Sequence, residues 1–133
     1  MTQNTALSIL LVDDEVEFVS TLAERLGLRG YKTTTVHNGE DALVHLSAHP
    51  ADIVLLDVML PGMHGIEVLR RIRALFPQMP VILLTGQAGA RDGIEGMKQG
   101  AKGYLSKPVD LSELLELVVN VQSGVGAVGG DNA

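Results

Sequence analysis

Cysteine and tryptophan are both absent from the 133 residues, and aromatic side chains make up only 3% of them. Without cysteine there is no disulfide, no thiolate nucleophile and no cysteine-ligated zinc or iron–sulfur centre. The scarcity of aromatics removes the stacking platforms on which nucleic-acid bases are often held. Positive charge is thin as well: 10 Lys and Arg stand against 16 Asp and Glu, for a net charge of −6 and a pI near 5.0. The only local basic cluster, Arg70, Arg71 and Arg73, reads as the solvated face of a helix, so no nucleic-acid contact is expected within this chain. Long apolar runs are missing too. Met1-Thr2-Gln3-Asn4 carries no Lys or Arg, and the apolar stretch after it stops at Asp13-Asp14. A signal peptide needs a basic start, and a membrane span needs about 20 apolar residues. The expectation is a soluble cytoplasmic protein without a membrane segment.

What is present is enough apolar material for one core: 46% of residues are hydrophobic and 20% charged, and the length suits a single domain. Short apolar runs alternate with amphipathic stretches. Ile9–Val12, Ile53–Leu56 and Val81–Leu84 are apolar without alternation, which suits strands covered on both faces by helices. Thr33–Val36 is half polar and predicts an edge strand; Tyr104-Leu105 is a weaker fifth run. Helical spacing links Phe18, Val19, Leu22 and Leu26, with Gly27 and Gly30 expected to end that segment. Further helices are predicted over Glu40–Ala48 and Ile66–Leu75. A glycine-interrupted one is predicted around Ala90–Gln99, expected to be marginal and mobile because each interior glycine costs about 0.5–1 kcal/mol relative to alanine. A last helix starts from Asp110 as N-cap, with Glu113 three residues on. Strict alternation of strand and helix predicts an α/β fold with a parallel sheet between helices. Residues 123–133, with Gly124, Gly126, Gly129 and Gly130, read as a flexible tail or linker.

The positions of the polar residues carry the functional information. Asp13 and Asp14 follow the first strand, Asp57 the third, Thr85 the fourth, and Lys107 comes just past the fifth. In an open parallel sheet these strand ends meet at one carboxyl edge, where ligands of this architecture bind. Three carboxylates gathered there repel one another. A hard divalent cation such as Mg²⁺ compensates them, and Lys107 adds a further positive charge. Such a site can bind a phosphoryl group and let a carboxylate, already deprotonated at pH 7, attack phosphorus without a catalytic base.

Leu11-Val12-Asp13-Asp14-Glu15, Leu56-Asp57-Val58-Met59-Leu60-Pro61-Gly62, Leu84-Thr85-Gly86 and Leu105-Ser106-Lys107-Pro108 together resemble the CheY-like receiver domain of two-component response regulators. The resemblance covers the chain to about Val121 and assigns residues 1–122 to a receiver domain. It implies a flavodoxin-like three-layer (βα)5 fold, with five parallel strands in the order 2-1-3-4-5 and helices on both faces. It further implies that Asp57 accepts a phosphoryl group from a histidine kinase or phosphotransfer protein. Asp14 and Asp57 would bind Mg²⁺ directly, with the Met59 backbone carbonyl as a third ligand and Asp13 acting through water. Thr85 and Lys107 would hold the phosphoryl oxygens, Gly86 would leave them room, and Tyr104 would be the switch aromatic. Lys107-Pro108 is a candidate cis bond. Phosphorylation is expected to alter the face formed by the fourth helix, fifth strand and fifth helix, which is also the surface expected for a homodimer. The resemblance implies self-phosphorylation and slow autodephosphorylation, with no enzymatic turnover expected.

A rival reading is an Mg²⁺-dependent, aspartate-nucleophile phosphohydrolase of the haloacid-dehalogenase type. That chemistry usually wants a second Asp two residues beyond the nucleophile, where this chain has Met59. Met59 and Gln87 flank the expected pocket, and an apolar Met59 cannot orient an attacking water. His45 and His49 share a helix face at i, i+4, but lack an evident third ligand and read as surface residues. His37 and His64 read as turn residues. The apolar arc of the last helix, from Leu111 to Val121, reads as a deeply docked helix with a surplus edge.

Overall fold

The computed structural model describes residues 7–86 and 90–123. Gln87 and all but the first residue of the glycine-rich tail lie outside the described residues. The elements alternate as β1 (Ser8–Val12), α1 (Val16–Leu28), β2 (Lys32–Val36), α2 (Gly39–Ala48), β3 (Ile53–Asp57), α3 (Gly65–Leu75), β4 (Val81–Thr85), α4 (Ala90–Lys98), β5 (Gly103–Ser106) and α5 (Leu111–Gln122). Every strand pairing is parallel, and the order is β2-β1-β3-β4-β5. The fold is the flavodoxin-like (βα)5 sandwich, with the half-polar Thr33-Thr34-Thr35 run on the edge strand β2.

The non-alternating strands divide their side chains between two separate cores. Leu10, Val12, Val54, Leu56, Val81 and Leu83 point to one face, where α2 and α3 contribute Ala42, Leu46, Ile66, Leu69 and Ile72. Ile9, Leu11, Ile53, Leu55 and Ile82 point to the other, against Val19, Leu22 and Leu26 of α1 and Leu114, Leu117 and Val118 of α5. Period-two alternation is therefore present but invisible in the sequence, because both faces are apolar. Burying each of the Leu, Ile and Val side chains among them stabilises the fold by roughly 1.5–3 kcal/mol.

Helix ends follow local chemistry. Asn38 Oδ1 accepts from the Asp41 N–H at 2.8 Å, and Asp110 Oδ1 accepts from the N–H groups of Ser112 and Glu113 at 2.8 and 3.2 Å. Both satisfy donors that a first helical turn leaves free. α1 runs through Gly27 rather than ending there, and the chain reverses at Gly30, whose φ of 95° favours glycine. The glycines of α4 prove to have a packing role. A Cβ at Gly96 would lie 2.0 Å from Leu83 Cδ1, and one at Gly93 would lie 2.5 Å from the Tyr104 ring. They let α4 sit close to the sheet, a contact that offsets their low helix propensity.

Gly65 sets how closely a helix can approach the end of the central strand. A Cβ there would stand 2.5 Å from the Asp57 carbonyl oxygen and 2.5 Å from Val58 Cα, while the Gly65 N–H donates to the Val58 carbonyl at 2.8 Å. The start of α3 is thus pressed against the end of β3, and backbone cannot yield as a side-chain tip can. Gly65→Ala is expected to destabilise the protein by about 1–3 kcal/mol. Urea denaturation measures this, and a wild-type midpoint would contradict the close contact.

Candidate functional site

Strand ends deliver the polar side chains. Asp13 extends the β1–β2 ladder through its N–H to the Val36 carbonyl, at 3.0 Å. Its side chain is buried, and Oδ1 accepts from the Glu15 N–H at 2.9 Å. Asp13 Oδ2 is buried without a hydrogen-bond partner; the Lys107 ammonium stands 2.9 Å away, close enough to pair as ions. Asp57 is the last residue of β3 and is 4% exposed. Its Oδ1 accepts from the Met59 N–H at 3.1 Å, and its Oδ2 accepts from Lys107 Nζ at 3.3 Å. Thr85 closes β4, buried, with its hydroxyl directed at the Leu105 carbonyl at 3.5 Å. The Lys107 N–H donates to the Thr85 carbonyl at 2.7 Å, tying the loop after β5 to the same rim, and the Lys107-Pro108 bond is cis.

Charge at this rim is poorly balanced. Burial first, and the neighbouring Asp13 second, push the Asp57 carboxyl up to about 6 despite the attraction of Lys107. Burial alone would lower the Lys107 ammonium, but the hydrogen bond to Glu15 and the charges of Asp13 and Asp57 outweigh it. They hold Lys107 well above the ordinary lysine range. Oxygens of Asp13, Asp14 and Asp57 lie within 4.8 Å of one another. Three carboxylates this close, one with an orphaned buried oxygen, fit a hard divalent cation with oxygen ligands.

Of the residues expected from the sequence, Asp13, Asp14, Asp57 and Lys107 come together here, with Thr85 beside them on the adjacent strand end. The Met59 side chain is 62% exposed at the edge of the site. Tyr104 is half-buried against the α2–α3 core, its ring against the bare face of Gly93. His45 and His49 stack at 4.8 Å between ring centroids. Among the described residues, only the three aspartates form a cluster of three or more metal-ligating groups. Arg70 and Arg71 pair with the exposed Glu67 at 3.0 and 3.2 Å, the solvated helix face expected of them.

Four participants were not evident from spacing. Glu15 and Phe18 both touch Lys107, the first through its carboxylate and the second through its ring, 4.6 Å from Nζ. His37 Nδ1 donates to the Asp13 carbonyl at 3.0 Å. His64 is the N-cap of α3, its Nδ1 accepting from the Ile66 N–H at 3.1 Å. The only signal available was that Glu15 adjoins the acidic pair and Phe18 lies one helical turn further on.

Known proteins share this outline. The family model of the response regulator receiver domain matches residues 9–119. The uncharacterized transcriptional regulatory protein YkoG of Bacillus subtilis is 44% identical over 107 residues, covering 80% of this chain and 47% of YkoG. The crystal structure of a putative response regulator from Chloroflexus aurantiacus superposes with a TM-score of 0.85 at 31% identity, covering 90% of this chain and 99% of that one. A CheY-like receiver domain protein from Methanospirillum hungatei gives a TM-score of 0.85 at 28% identity, with coverage of 90% and 96%. The chain spans about half the length of the curated relatives it matches.

The raised Asp57 carboxyl has a consequence for stability. The folded protein holds that proton more tightly than the unfolded chain does, so stability falls as pH rises from 3.8 to about 6 and stays lowered above. In metal-free buffer, Asp57→Asn is expected to stabilise the protein at pH 7 by about 1–2 kcal/mol, a shift of this size discounted for solvent access, and to give little gain at pH 4. Urea melts at the two pH values check this; equal gains at both would contradict it.

Proposed function

The chain belongs to the response regulator receiver family, and from that membership we propose that it is a phospho-acceptor signalling switch in a two-component system. The observation that carries the reading is Lys107 Nζ within 3.3 Å of Asp57 Oδ2 and 2.9 Å of the unpartnered Asp13 Oδ2. An Asp57 carboxylate oxygen attacks phosphorus, and the P–N bond to a phosphohistidine of the donor breaks as the new P–O bond forms. The leaving imidazole takes a proton from solvent. At pH 7 Asp57 is mostly ionised, so the nucleophile needs no base. Lys107 and the Thr85 hydroxyl neutralise and orient the phosphoryl oxygens. Asp13, Asp14 and Asp57, with the Met59 carbonyl, would hold Mg²⁺, which when bound supplies charge compensation for the phosphoryl group.

A histidine kinase or phosphotransfer protein is the donor this reading requires. A cavity of about 540 Å³ runs beside the site, its lining including Glu17, Phe18, Leu22, Arg25, Val109 and Leu111. Its apolar lining, with Glu17 and Arg25 among the residues around it, suits an amphipathic helix of such a partner. For the output, drawing Thr85 away from the Leu105 carbonyl towards a phosphoryl oxygen disturbs β5, and with it Tyr104 against Gly93. The exposed Ile94 of α4 and Val119 of α5 provide an apolar edge for an effector or a second copy on the α4–β5–α5 face.

Acetyl phosphate with Mg²⁺ is expected to phosphorylate the wild type and leave Asp57→Asn unmodified on a phosphate-affinity gel. Equal modification of both would end the reading. With the exposed, apolar Met59 beside the acceptor, the phosphoryl group is expected to persist for minutes or longer in Mg²⁺, and a half-life of seconds would contradict that. Beryllofluoride is expected to shift NMR signals of Tyr104 and α4 as well as those of the acidic rim; shifts confined to the rim would refute the coupling.

A further inference from the structure

One ammonium is shared by three carboxylates. Lys107 Nζ lies 2.5 Å from Glu15 Oε1, 2.9 Å from Asp13 Oδ2 and 3.3 Å from Asp57 Oδ2. The nearest partner is the most solvated: the Glu15 side chain is 60% exposed, against 1% for Asp13 and 5% for Asp57. Two of the three N–H donors of this ammonium go to Glu15 and Asp57, and charge holds its remaining side against Asp13, so it is already engaged when an oxygen arrives. The Phe18 ring, 4.6 Å from Nζ, covers a further side.

We propose that Glu15 is a positioning residue for Lys107, drawing its ammonium to the outer lip of the rim before phosphoryl transfer and giving it up when phosphoryl oxygens arrive. The inference rests on the phospho-acceptor reading and names the contact that regulates its rate. Exchange at Glu15 is the least costly of the three. An exposed carboxylate recovers its hydration on release, whereas Asp13 would be left charged and buried. Asp57 cannot be the group released, because its carboxylate is the one that bonds to phosphorus. The new phosphoryl oxygens supply the negative charge that Lys107 then follows inward. Glu15 thus restrains Lys107 in the resting protein, and Phe18 limits the ammonium to a short swing across its face.

The full chain is phosphorylated with acetyl phosphate in Mg²⁺, and initial rates are compared for wild type, Glu15→Gln and Glu40→Gln. Glu40 is an exposed acid in the first turn of α2, at the same end of the sheet, so it controls for net charge alone. Glu15→Gln keeps the backbone N–H that Asp13 Oδ1 accepts and removes only the carboxylate. It is expected to phosphorylate about two- to fivefold faster, the scale of an exposed ion pair, with Glu40→Gln close to wild type. A second readout is the NMR signal of the Lys107 side-chain ammonium, assigned by its loss in Lys107→Arg. That signal is expected to move in Glu15→Gln before any donor is added, and not in Glu40→Gln. Equal rates for the two variants, a slower Glu15→Gln, or an unmoved ammonium signal would overturn the proposal while leaving the phospho-acceptor reading intact. A wild type that stays unmodified at Asp57 would overturn both.

Discussion

A single ammonium holds this site in being. Without Lys107, Asp13 and Asp57 would face each other as buried like charges at the end of a hydrophobic sheet, an arrangement that electrostatics strongly disfavours. With it, the repulsion is reduced but not removed, as the raised Asp57 carboxyl records. The resting protein is left with an unmet demand for positive charge at one rim. That demand fits the rim to a divalent cation with oxygen ligands.

Supporting this interaction is a matter of backbone register. Asp57 lies across from Leu84, and Thr85 across from Ser106, so the last residues of β3, β4 and β5 step together to one edge. The Lys107 N–H is bonded to the Thr85 carbonyl, which places its side chain to reach back over β4 and β3. Gly65 lets α3 start directly against Val58, closing the loop under Asp57. Each device is ordinary parallel-sheet geometry; their coincidence at one edge is what confers chemistry.

Much of this was legible in the sequence, and for identifiable reasons. Asp13, Asp57 and Thr85 stand directly after or at the end of apolar runs, so strand direction alone brings them together. Asp110 announced α5 by its spacing to Glu113. What could not be read were contacts between side chains distant in the chain or differing in kind. Glu15 and Lys107 are 92 residues apart, and nothing in the spacing of either selects the other. His64 looked like a loop residue because histidine is not among the usual N-capping types. The glycines of α4 argued for weakness when read by propensity; only the proximity of Leu83 and Tyr104 reveals that the helix needs their smallness.

The two cores on opposite faces of the sheet have no side chain in common. Phe18, with the α1 groove beside the acidic rim, belongs to one of them, and Tyr104 to the other. The sheet therefore works as a bulkhead: the side chains around Phe18 can be repacked without touching those around Tyr104. Changes on opposite sides should combine additively. On the proposed reading, the α1 groove and the Tyr104 aromatic can thus diverge separately, whereas α5, seated in the same core as α1, ties that groove to one edge of the output face.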